Sequence, residues 1–276
     1  MYTINFPFIS SPKPKPATRR AKRGLAGNPW SNHVPAKWHG NALGISCAQS
    51  WNTWQGTRDG VELLPMLWGH NRTLNGQTVN LYERFMRQVD NRYNGWVIMF
   101  NEPADGTQAN MSYKDAAVIW ADFAYTYPAA KLTSPQMLIG LDNDSGANFW
   151  YRAHDWLLRW FHELPVDLHG RVEAWAWHCY HSSADHAIKV NGDWSKMVDG
   201  LLPGKQKWVT EWGVNGLGKS DGGETDTRRV RAWMDHNTDR HFVFTNRVDA
   251  WSADWHGFNL VGDDGELTGV GRGWVK

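Results

Sequence analysis

The sequence predicts an α/β fold, a closed (β/α)8 TIM barrel. Two patterns carry that expectation. Short, nearly continuous apolar runs alternate with amphipathic stretches of helical period, as in a parallel sheet covered by helices. Almost every apolar run also ends in polar, acidic or aromatic residues, and a barrel gathers such strand ends on one face. Eight runs match a closed barrel; an open doubly wound sheet is the alternative.

The elements follow in order. Ser10–Lys22, "SSPKPKPATRRAK", is proline-rich and basic, so residues 1–22 read as an extended arm. Residues 23–276 show no second linker, low-complexity tract or repeat of fixed period, and read as one domain. The expected strands are Gly24–Ala26, Ala42–Ala48, Val61–Leu67, Trp96–Phe100, Met137–Leu141, Val172–Tyr180, Lys207–Thr210 and Val248–Ala253. The first is the least secure, being only a few residues long. Between them, Val79, Tyr82, Phe85, Met86 and Val89 recur at helical spacing. A second helix carries Ala116, Ile119, Trp120 and Phe123 behind Ser112 and Asp115 in capping-box positions. Trp150, His154, Leu157, Leu158 and Phe161 mark a third, and Val230, Trp233 and Met234 part of a fourth.

Composition narrows the function. The 276 residues suffice for one large core, and a formal net charge of +1 suggests neither a nucleic-acid partner nor an acidic membrane surface. No apolar run approaches the roughly 20 residues that span a bilayer. The first residues lack the order of a signal peptide, a basic start, an apolar centre and a small-residue cleavage site. Cys47 and Cys179 are too few for a disulfide scaffold or a cysteine-built zinc site. They fall on the second and sixth strands, roughly opposite each other, and are expected as free thiols. The 19 tryptophans exceed the needs of such a core, a hint of stacking on flat faces of sugars or bases.

The strand ends carry the chemistry. Leu67 leads into Trp68 and His70, Phe100 into Asn101 and Glu102, and Leu141 into Asp142 and Asp144. Trp177 is followed by His178 and Tyr180, and Thr210 by Glu211 and Trp212. Two glutamates facing each other across a cleft are what glycosidic-bond hydrolysis requires, one to protonate the leaving oxygen and one to attack the sugar carbon. The same pair could instead hold a divalent metal, with Asp142, Asp144, His178 and His181 as conceivable ligands. No tight ligand spacing such as H-E-x-x-H supports that minority reading. "GLGKSDGG" (Gly216–Gly223) lacks the phosphate-loop pattern, and no G-x-S-x-G elbow is present.

"FNEP" and the later "WVTEWG" resemble the acid/base and nucleophile motifs of clan A glycoside hydrolases. "KRGLA", "SWNTW", "LLPMLWG", "FNEPA", "HCY" and "TEWG", in this order from Lys22 to Trp255, are similar to glycoside hydrolase family 128, whose characterised members are mainly endo-β-1,3-glucanases. The resemblance implies a (β/α)8 barrel with Glu102 as acid/base and Glu211 as nucleophile. It implies that Asn101 binds the sugar 2-hydroxyl, that His178 and Tyr180 orient substrate and nucleophile, and that Trp68 lines the cleft. Trp51 and Asn52 are expected to bind substrate, but "WNTW" departs from the family pattern, which leaves the roles of Trp51, Asn52 and Trp54 uncertain by a position. Trp212, expected in the cleft from its strand-end position, stands where many members have phenylalanine, and Trp251 and Trp255 compete for the indole under the cleavage site.

The resulting expectation is a retaining, endo-acting glycoside hydrolase on β-glucan, foremost β-1,3-glucan. The alternatives are a clan A hydrolase on another β-glycan (β-1,4-glucan or mannan) and a non-catalytic carbohydrate-binding barrel. Neither cofactor nor metal is expected. The expected partner is a polysaccharide or oligosaccharide, with no nucleic acid and no membrane, for a monomeric and extracellular protein.

Overall fold

The computed structural model describes residues 21–74, 77–141, 148–248 and 253–276. Eight parallel strands form the barrel: β1 Lys22–Ala26, β2 Cys47–Gln49, β3 in two pieces at Val61–Leu63 and Met66–Leu67, and β4 Trp96–Asn101. They continue as β5 Lys131–Gly140, β6 Val172–His181, β7 Gln206–Val214 and β8 Arg240–Phe244. The first piece of β3 pairs with β2 and the second with β4. Pro65 forces this division, since its nitrogen cannot donate to the ladder. The Leu64 amide still reaches Ala48 O (3.0 Å) while Pro65 O accepts from the Ile98 amide (3.0 Å). One broken strand therefore closes the ring.

Among the described residues six helices pack outside: α1 Leu81–Gln88, α2 Tyr113–Thr126, α3 Asn148–Glu163, α4 Ala184–Leu201, α5 Glu224–Asn237 and α6 Gly269–Val275. The Ser112 hydroxyl caps α2 by accepting from the Asp115 amide, as the capping pattern predicts. After β1 the chain makes two 3-10 turns, Ala36–Trp38 and Gly40–Leu43, in place of a helix. After β2 it makes a short antiparallel strand, Gly56–Arg58.

Three strand boundaries differ from the sequence expectation. The eighth strand is Arg240–Phe244, not Val248–Ala253; Val248 lies beyond it, and residues 249–252 lie outside the described residues. Its Arg240 and His241 are buried but paired to Glu62 (2.8 Å) and Asp235 (3.0 Å), so the run does not read as apolar. Strand β2 begins only at Cys47, because Ala42 and Leu43 belong to a 3-10 turn. Strand β5 begins six residues before Met137, at Lys131, through "TSPQ", a stretch that looks like a turn. There Thr133 Oγ1 accepts from the Met99 amide (3.0 Å) and Ser134 Oγ from the Ala176 amide (2.9 Å). These hydroxyls replace ladder acceptors that Pro135 displaces.

The barrel floor is filled by Ala26, Cys47, Leu64, Met66, Trp96, Ile98, Ala174, Trp208 and Phe242. Trp96 and Trp208 lie 4.4 Å apart between centroids, and the Arg240 guanidinium sits 4.4 Å from the Trp208 ring. A larger apolar cluster lies between sheet and helices. Trp120, Trp160, Trp175, Trp177, Trp194, Trp208, Trp212 and Trp274 are fully buried, so many of the tryptophans are core. Cys47 and Cys179 are both buried free thiols, as expected. Among the described residues no helix is long and apolar enough to cross a membrane.

Candidate active site

Bulged strand ends aim the side chains. The register between β4 and β5 shifts twice around Met99, and that between β6 and β7 shifts at Trp177/His178. Phe100 and Glu102 take positive φ values of 45° and 46°, and Trp51 of 55°. Non-glycine residues adopt such a backbone at a cost, and clusters of it mark functional sites. Here it turns Glu102 out of the strand line while its amide stays bonded to Gln136 O (3.0 Å).

Glu102 and Glu211 meet at the base of a cleft of about 980 Å³. Both are buried, at 7% and 5% exposure, so neither is a solvated turn residue. One oxygen of each carboxyl and one ring nitrogen of His178 lie within 4.8 Å of one another. His178 Nδ1 lies 2.6 Å from Glu102 Oε1, and its Nε2 lies 3.2 Å from Gln136 Oε1 and 3.7 Å from Glu211 Oε1. Glu211 accepts from Trp51 Nε1 (2.7 Å), from Gln49 Nε2 (3.2 Å) and, at Oε2, from the Tyr180 hydroxyl.

The two halves of the site differ electrostatically. Burial pushes the Glu102 carboxyl above its ordinary range and the charge of Glu211 adds to this, while the hydrogen bond and charge of His178 oppose it. Burial disfavours protonated His178, but the charge of Glu211 and the Glu102 hydrogen bond outweigh it and raise its pKa. Glu102 and His178 thus compete for one proton, and together they hold it to higher pH than either would alone. Tyr180 is held well above the usual tyrosine range by burial and then by the charges of Glu211 and Glu102, so it remains a donor. The three clustered side chains are close enough to share a cation. However, His178 has both nitrogens engaged with oxygen acceptors, which suits a self-contained proton network better.

The cleft walls contain Trp51, Trp68, Asn101, Tyr180 and Trp255 of the residues expected there, with Leu141, Phe149 and Phe244 as further apolar wall. Trp68 carries the Arg72 guanidinium 4.5 Å from its ring centroid. Asn101 donates to Gln108 Oε1 (3.1 Å), and its own Oδ1 is buried without a partner among the described residues. Tyr180 meets Trp255 edge-on at 5.0 Å.

Three expectations change. Trp212 does not reach the cleft: strand alternation points it away from Glu211, its Nε1 donating to His241 Nδ1 (3.1 Å) and its ring 5.9 Å from Trp274. Asn52 shapes the turn after β2, bonding Ser50 Oγ (2.7 Å) and the Trp54 amide (2.8 Å), and it does not line the cleft. His178 is wholly buried behind the two carboxyls, so it acts on them rather than on a ligand in the cleft. His181 packs against His186 at 4.3 Å, away from the glutamate pair. Trp251, Asp142 and Asp144 lie outside the described residues. Gln49 and Gln136 escaped the sequence reading. Their one signal was an amide at the exit or middle of a strand too buried to tolerate an unpaired one.

No curated sequence matches the chain. Among solved structures it resembles a GH128 (subgroup III) curdlan-specific exo-β-1,3-glucanase from Blastomyces gilchristii. The TM-score is 0.65 at 22% identity, over 92% of this chain and 97% of that one. A GH128 (subgroup II) endo-β-1,3-glucanase from Sorangium cellulosum aligns at TM-score 0.63 and 21% identity, covering 93% and 98%. A GH128 (subgroup I) endo-β-1,3-glucanase from Amycolatopsis mediterranei, in complex with laminaritriose, aligns at 0.61 and 17%, covering 92% and 98%. At these identities the likeness establishes the barrel fold. The family model of the glycosyl hydrolase catalytic core matches residues 24–274, and the chain belongs to that family.

Proposed function

We propose that this protein is a retaining glycoside hydrolase of the family 128 type that cuts β-1,3-glucan within its chains, with Glu102 as acid/base and Glu211 as nucleophile. The observation that carries the proposal is the asymmetric pair itself. Glu102 shares a proton with His178, whereas Glu211 faces three donors that suit a carboxylate. Retaining enzymes hold their carboxyls about 5–5.5 Å apart and inverting ones about 6.5–9.5 Å. Carboxyl oxygens within 4.8 Å support the former.

In this mechanism Glu211 attacks the anomeric carbon while Glu102 protonates the departing oxygen. Formation of the glycosyl–Glu211 ester removes one negative charge from beside Glu102, which eases its ionisation. Glu102 then takes a proton from the water that opens the ester. Asn101, adjacent to Glu102 and part of the cleft wall, suits a hydroxyl near the reacting carbon.

The substrate class rests on the relatives, named as β-1,3-glucanases, and on the aromatic walls. A β-1,3-linked chain curves, so its sugars present apolar faces in changing directions. Trp51, Trp68 and Trp255 follow different strands and all line the cleft, so they suit such a chain. Hiding on the order of 50 Å² at each contributes ~1 kcal/mol, so binding spreads over subsites, which favours internal cuts. Purified protein incubated with laminarin, curdlan, cellulose and mannan, with product sizes resolved, tests this. Short oligosaccharides from laminarin or curdlan ahead of glucose are expected. Glucose as the first product would reject internal cutting, and activity on cellulose or mannan alone would reject the substrate class.

A further inference from the structure

Gln136 stands in the middle of β5, wholly buried and outside the cleft wall, and no step above uses it. Its amide orientation is set at both ends. Nε2 points to Phe100 O (3.4 Å) and Met66 Sδ (3.7 Å), which leaves Oε1 facing His178 Nε2 (3.2 Å). Turning the amide over would set Oε1 against a carbonyl oxygen and give His178 a donor. His178 is therefore ringed by oxygen acceptors: Glu102 Oε1 at Nδ1, and Gln136 Oε1 and Glu211 Oε1 at Nε2.

We propose that Gln136 is a positioning residue for the acid step: its carbonyl holds a proton on Nε2 of His178 and so keeps the proton shared with Glu102 available to a leaving group. Two arrangements of that proton satisfy every contact. Either Glu102 is protonated and donates to a bare Nδ1, or an imidazolium donates at both nitrogens. Once the proton is lost, no arrangement does. A proton left on Nε2 sets the Nδ1 lone pair against ionised Glu102, and a proton moved to Nδ1 sets the Nε2 lone pair against Gln136 Oε1. The deprotonated pair is destabilised in both tautomers, so the pair releases its proton late.

The charged and titratable groups facing this pair are Glu211 on β7, Tyr180 on β6 and Asp105 in the loop after β4. None of them is altered by changing Gln136. The inference rests on Glu102 being the acid, but one of its tests does not.

That test is a long-range proton–nitrogen correlation spectrum of histidine-labelled protein. Unmutated protein should show His178 protonated at Nε2 throughout the accessible pH range. In Gln136→Met, which keeps the volume and removes the carbonyl, the neutral Nδ1–H form should appear. The matching kinetic readout is kcat/KM against pH on a soluble β-1,3-glucan. Relieving the clash lets ionised Glu102 accept from Nδ1–H, so the basic limb should move down by about one unit, a roughly tenfold loss above it. A Gln136→Met protein with the tautomer and the basic limb both unchanged would overturn the assignment, as would a neutral Nδ1–H form of His178, bare at Nε2, in the unmutated protein. If the mutant does not fold, the unmutated spectrum still decides. If the unmutated protein cleaves no β-1,3-glucan while the tautomer is as stated, the substrate reading fails and the positioning stands.

Discussion

Glu102 does not hold its proton alone, and that governs what single substitutions do at the site. Because Glu102 and His178 share one proton in a buried setting, activity should fall as pH rises through the loss of that proton, at a pH above the ordinary range of an isolated glutamate. Glu102→Gln removes the proposed acid but keeps the size and a hydrogen-bonding group for His178. It should lower kcat at least a hundredfold on a natural glucan, since general acid catalysis is worth 10²–10⁴-fold. An activated aryl glycoside, whose leaving group needs little protonation, should lose much less. Equal losses on both substrates would show that Glu102 is not the acid. At this scale the sequence was informative about carboxylates and less so about their support. Glu102 and Glu211 stand out as acids at the ends of greasy strands. Gln49 and Gln136 do not, because an amide buried for its hydrogen bonds looks like any other polar residue until its partners are known.

Strands position the site, and their legibility varied with how they satisfy buried polar groups. Strands β4 and β6 read clearly, being continuous apolar runs. Strand β8 did not, because Arg240 and His241 are buried by pairing with Glu62 and Asp235. Strand β5 was found only from Met137 onward, since its hydroxyl-bonded first half carries a proline. A strand-end position alone puts Trp212 in the cleft, yet it follows Glu211 directly and adjacent strand residues face opposite sides. Strand β1, the shortest to read from sequence, offers a test of how closely the floor is packed. A Cβ at Gly24 would stand 2.3 Å from the Phe242 ring and 2.9 Å from Cys47 Sγ. Gly24→Ala should therefore cost about 1–3 kcal/mol by overpacking, seen as a lowered midpoint in denaturant. A midpoint unchanged or raised would mean that the floor has room to spare.

The whole molecule is a ring of strands whose active face is assembled from every side. Glu102 comes from the end of β4, Glu211 from β7, His178 and Tyr180 from β6, Trp51 from the loop after β2, and Trp255 from the segment after β8. This convergence was legible because barrel topology puts all strand exits on one face, whatever the local errors in boundary. The central claim is that Glu102 and Glu211 face each other across one bond and act in two displacements. The most direct test is to follow the first product formed from a β-1,3-linked oligosaccharide by proton NMR, before mutarotation mixes the anomers. With retention the newly formed reducing end appears first as the β-anomer; initial appearance as the α-anomer would contradict two displacements.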